Sequence, residues 1–175
     1  DTVEENGKVV IGENDLDLAQ RLIKSGSEHR KFMRQIFVSV DITGPLYWWK
    51  EFDTYKVGTV ANSTSTMHKI HSKSFEMSDF STDHMNEETI EFMEKNIEFL
   101  ENLRVKYNDT KDKTLWYSII QLLPESYNQM RTCTFSYENA VAMYYSRKNH
   151  KLDEWHTFCD WVTELPYFKE LFIQE

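Results

Sequence analysis

Glycine and proline are scarce in this chain, 5 and 3 among 175 residues. So few breakers argue against a disordered or linker-rich chain, and against an all-β fold dense in tight turns. Cysteine is scarcer still. Cys133 and Cys159 show no C-x-x-C or Cys/His ligand spacing, so neither a disulfide framework nor a metal site is expected. A reduced, cytoplasmic setting is the matching expectation. No apolar run approaches the ~18 to 20 residues of a membrane span, and no secretory leader is read. Cationic residues are in deficit: 20 Lys and Arg against 29 Asp and Glu give a formal net charge of -9. That balance disfavours broad nucleic-acid binding but leaves local basic patches free to meet a small anion. The G-x-G-x-x-G, P-loop and G-x-S-x-G signatures are missing too, and with them the usual strand-to-helix phosphate cradles.

What is present builds a core. Hydrophobic residues make up 40% and aromatics 14% of the sequence. The length suits one domain, taken as residues 1–175, with 1–13 as an arm or a short strand around 9–11. Leu16, Leu18, Ala19, Leu22 and Ile23 give a helical stripe that Gly26 ends. Ile36, Val38, Val40 and Ile42 alternate with Ser39 and Asp41, which predicts a half-buried strand over 36–42. Gly44-Pro45 is read as its end, and Pro45 as the first turn of an aromatic helix running to about Lys56. Gly58 then releases the chain into a loop. Ile90, Met93, Ile97, Leu100 and Leu103 recur at spacings of three and four, predicting an amphipathic helix over 86–106. Further helices are expected over 112–123, 138–147 and 152–165, with an extended segment over 131–136. Many helices, few strands and no βαβ alternation make the fold class α+β.

The chemistry concentrates in residues 45–73, PLYWWKEFDTYKVGTVANSTSTMHKIHSK. Thr59, Asn62, Ser63, Thr64 and Ser65 offer hydroxyl and amide donors with little bulk, which suits a phosphate or sugar close to the backbone. A Ser/Thr-rich surface turn has the same composition. His68 and His71 form an H-x-x-H pair with no further ligand completing a set, so no metal is expected. Arg131 and Arg147 lie in apolar and aromatic sequence, where an unpaired guanidinium is costly. Each should meet a fixed anion, and both a protein carboxylate and a ligand phosphate qualify.

The order of these pieces resembles the flavin-dependent thymidylate synthases, in the form of a divergent member with a degenerate signature. LIKSGSEHRKFMRQ, IFVSVDI and GPLYWWKEF stand where that family has a Gly-His turn, a strand and a proline-initiated aromatic helix. Counting from Pro45 puts Thr54-Tyr55-Lys56 on the family's Arg-His-Arg triplet and Thr64 on its motif serine. Counting from Pro124, in LLPESYNQMRTCTFSYENAVAMYYSRKNH, puts Arg147 on a late nucleotide-binding arginine. The likeness runs over roughly residues 16–172. It implies a helix-rich fold around a small central sheet, assembled as a homotetramer. It also implies FAD as cofactor and a uracil nucleotide such as dUMP as substrate. NADPH and methylenetetrahydrofolate would be co-substrates of a methyltransferase acting at C5 of the ring. Cofactor contacts are then expected from Thr54, Tyr55, Lys56, Asn62 and Ser63, and substrate contacts from Thr64, Ser65, Arg131 and Arg147. No catalytic residue is assigned.

The departures are equally specific. The triplet keeps one lysine for three cationic or imidazole groups. Thr66 stands where the family has an arginine, Arg34-Gln35 where it has Glu-His, and Glu138 where it has the arginine of Asn-x-Arg. Arg131 matches no family arginine. Two readings follow: a flavin-dependent enzyme that holds its cofactor differently, or a non-catalytic nucleotide-binding or protein-interaction protein on the same fold.

Overall fold

Asn6 and Gly7 both have positive φ, 52° and 75°, the pair of conformations a two-residue hairpin turn demands. They join β1 (Thr2–Glu5) to β2 (Lys8–Ile11) as an antiparallel pair. The expected arm is thus a hairpin, with mostly exposed side chains. The computed structural model describes residues 1–173. In chain order there follow α1 (Glu13–Lys24), β3 (Phe37–Pro45), α2 (Leu46–Phe52), β4 (Val60–Ser63) and α3 (Thr66–Lys69). Then come α4 (Glu87–Thr110), α5 (Lys113–Leu122), β5 (Asn128–Ser136), α6 (Tyr137–Arg147), α7 (Asp153–Thr163) and α8 (Phe168–Phe172). The fold is α+β and helix-rich, with a small sheet in the order β3-β5-β4. The expected fold class is the one found.

Two compact units divide the chain. Asp1–Val38, Val57–Thr59 and Thr134–Glu175 form the first, and Ser39–Lys56 with Val60–Cys133 the second. In the first unit Phe135, Tyr137, Trp155, Phe158 and Phe168 are buried, as are Met33 and Met143, and Phe158 packs against both Phe135 and Trp155. Ser136 and Asn139 close a capping box at the start of α6, satisfying backbone donors that would otherwise be orphaned. The Asn139 amide also donates to the Val57 carbonyl at 2.7 Å, anchoring the 57–59 segment.

In the second unit the apolar stripe of α4 supplies Met93, Ile97, Leu100 and Leu103. They pack with Ile70, Phe75, Phe80 and Ile119 of α5 into one cluster. The α2 aromatics Trp48, Trp49 and Phe52 are nearly inaccessible. Three boundaries differ from expectation. β3 runs through Gly44 and Pro45 instead of stopping before them. α2 ends at Phe52, because the Thr54 backbone N–H and hydroxyl both turn back onto the Glu51 carbonyl. The hydroxyl-rich loop is in part strand β4, whose continuation donates from Thr64 N to the Met130 carbonyl at 3.1 Å.

Candidate ligand cleft

Strand periodicity builds the site. On β5, Gln129 and Arg131 are two residues apart and so project from one face. The Arg131 guanidinium lies over the Trp49 ring, 4.3 Å from its centroid, an arrangement that suits a weakly hydrated planar cation. Its Nη1 donates to Asp53 Oδ1 and its Nε to Gln129 Oε1, each at 2.8 Å. Gln129, only 7% exposed, spends the rest of its side chain on the Thr66 hydroxyl, donating through Nε2 at 2.7 Å. Trp49 Nε1 donates to the Gln129 carbonyl at 2.9 Å. Every buried polar atom of this chain of contacts has a partner, which makes the arrangement rigid.

Thr66, Gln129 and Arg131 of this network line a cleft of about 370 Å³ in the second unit. Ser63, Ser65, Thr66, Gln129 and Arg131 are its polar lining, and Leu46, Met67, Ile120 and Leu123 its apolar lining. Ser65 holds an unusual backbone, φ 22° and ψ 87°, while its hydroxyl accepts from His68 N at the start of α3. Two of the five N–H groups of Arg131 are committed to Asp53 and Gln129. The lining thus combines four apolar side chains with hydroxyls, an amide and a guanidinium. Such a surface suits a flat, partly polar ring that carries an anionic tail.

Two crystal structures of the flavin-dependent thymidylate synthase ThyX from Helicobacter pylori, each with FAD and dUMP, superpose on the chain with a TM-score of 0.68. One is 18% identical over 97% of this chain and 85% of its own, the other 19% over 93% and 83%. The fold is that of the flavin-dependent thymidylate synthases. The sequence itself matches no protein-family model and no curated protein.

Within this thymidylate synthase fold, the residues singled out by sequence are distributed unevenly. Ser63, Ser65 and Arg131 line the cleft together. Thr64 is tied to the Met130 carbonyl through both its backbone N–H and its hydroxyl. Asn62 is an exposed residue of β4. Thr54, Tyr55 and Lys56 follow α2 instead of completing it, with Lys56 exposed. Arg147 belongs to the first unit, where its guanidinium lies 4.8 Å from the centroid of the buried Trp155 ring. For Arg131 the open question of its anion is answered in part by Asp53. His71 sits edge-on to Tyr107, its ring Nδ1 buried without a hydrogen-bond partner. Among the described residues no cluster of three or more His, Cys, Asp or Glu could hold a metal ion. No described helix is long and apolar enough to cross a membrane.

Sequence reading missed Gln129 and Asp53. Gln129 was within reach: extending the strand back by one period of two from Arg131 lands on it. Asp53 carried no local signal, since its partner is 78 residues away.

Proposed function

We propose that this chain is a nucleotide-binding protein on the flavin-dependent thymidylate synthase fold, and that the cleft of the second unit receives a uracil nucleotide such as dUMP. The observation that carries this reading is the Arg131 side chain, fixed on Trp49 and lining the same cleft as Ser63 and Ser65. A cleft of about 370 Å³ lies near the small end of ligand sites, which span roughly 300 to 1,000 Å³, and suits a mononucleotide better than a dinucleotide. In this reading Arg131 meets the phosphate, the hydroxyls of Ser63 and Ser65 orient it, and Leu46, Met67 and Ile120 exclude water from the ring.

FAD, with methylenetetrahydrofolate and NADPH, would supply the hydride and one-carbon chemistry of C5 methylation when bound. The residues at the triplet fit a flavin diphosphate poorly. The Thr54 hydroxyl donates to the Glu51 carbonyl at 2.7 Å, and Lys56 is the one cation of the three positions. That observation favours the second reading, a non-catalytic binder that has kept the fold.

Calorimetry with dUMP and with FAD, the absorption spectrum of the purified protein, and a uracil-methylation assay separate the readings. Binding of dUMP by a colourless protein selects the non-catalytic binder. A yellow protein that converts dUMP selects the enzyme. Failure of both ligands to bind removes the nucleotide site and leaves a scaffold for a protein partner.

A further inference from the structure

The Arg131 guanidinium already holds an anion. Its partner Asp53 is the C-cap of α2, fixed by its own backbone N–H on the Trp49 carbonyl at 2.9 Å. The arginine side chain is 16% exposed and the aspartate side chain 52%. Arg131 is the one charged residue among those lining the cleft, and Asp53 is not in that lining. The guanidinium therefore shows one edge to the ligand and another to a resident carboxylate. A phosphate arriving at the first edge finds a cation whose charge is partly answered, and a second negative charge behind it. An uncharged ligand in the same cleft meets neither effect.

We propose that Asp53 is the specificity-determining residue of this cleft: it competes with the ligand's phosphate for Arg131 and so sets how strongly a nucleotide is preferred over its nucleoside. The proposal rests on the nucleotide-binding reading above. Because the aspartate is half in water, the pair is of the weak kind that a multidentate phosphate can displace. Asp53 tunes the preference; it does not close the site. Gln129, itself anchored on the Thr66 hydroxyl, holds the Nε edge of the guanidinium throughout, so displacement of Asp53 leaves Arg131 in place on Trp49.

Calorimetry on the full chain with dUMP, deoxyuridine and inorganic phosphate tests this. Asp53→Asn is close to isosteric at a half-exposed position and should fold as the parent does. It is expected to tighten dUMP and phosphate by roughly fivefold and to leave deoxyuridine unchanged. Asp53→Ala, which removes the carboxylate without adding an amide, should give the same gain. In an Arg131→Gln background the gain should vanish. Equal dUMP affinity in parent and variants overturns the proposal, as does an equal gain for deoxyuridine or a gain that survives Arg131→Gln. Absence of dUMP binding to parent and variants alike overturns the nucleotide reading, and this inference with it.

Discussion

Trp49 uses two parts of one side chain: the indole N–H holds the Gln129 carbonyl and the ring face supports Arg131. Trp49→Phe keeps an aromatic surface and strands that carbonyl, at a cost of ~1 to 3 kcal/mol. A lowered urea midpoint together with weaker dUMP binding is the expected result. Arg131→Gln should weaken dUMP binding about tenfold, since a charge-assisted contact is worth ~1.5 to 3 kcal/mol, and should also lower the melting temperature, because Gln129 Oε1 loses the guanidinium that donates to it. The cysteines are a different case. Burial pushes the thiols of Cys133 and Cys159 from the ordinary value near 9 up to about 11. Both should resist iodoacetamide at pH 8 in the folded protein and react once it is unfolded. The raised values penalise the folded state only where the unfolded thiols ionise. Stability should therefore be unaffected by these groups below about pH 9 and fall as pH rises from 9 towards 11, measurable by urea denaturation across that range. At this scale sequence identified which side chains carry charge or hydroxyls, while pairing stayed hidden: Asp53 and Arg131 meet only through the fold.

Helix α4 was the most legible element. Met93, Ile97, Leu100 and Leu103 keep their spacing and their burial, and Asn86 caps the helix by accepting from Thr89 N at 2.9 Å. Its end was misjudged by four residues, because the last turn is polar and stops only where Lys111 takes a left-handed conformation. Leu100→Ala should cost ~2 to 5 kcal/mol and Asn86→Ala ~1 kcal/mol, whereas Glu94→Ala, on the exposed side, should cost under ~0.5 kcal/mol. Guanidinium unfolding of the three variants checks that ranking. β4 was illegible for a physical reason. An exposed strand of small polar residues has no period-two apolar signal, and its partner β5 decides its conformation. α2 was read too long because Tyr55 continues its aromatic run, while Thr54 ends the helix by bonding to Glu51.

For the whole molecule, a homotetramer is the assembly expected from the resemblance. Phe92 and Phe99, 72% and 53% exposed, stand two turns apart on α4 and give that expectation a physical motive. Light scattering at micromolar concentration should report four chains; a monomer would remove the expectation. The net charge of -9 should also keep the protein off heparin and duplex DNA at physiological salt, whatever small anion it binds.

The division of the chain into interleaved segments has a consequence for how it is made. The polypeptide passes from the first unit to the second and back twice, so its N-terminal 38 residues wait for residues 134 onward before their unit is complete. During synthesis the helices of the second unit can emerge and pack while the hairpin and α1 have no finished partner. Folding on the ribosome should therefore finish inside out, with the middle of the message settling before its beginning. A nascent chain stalled near residue 133 is expected to protect α4 and α5 from protease and to leave the first 38 residues open to it.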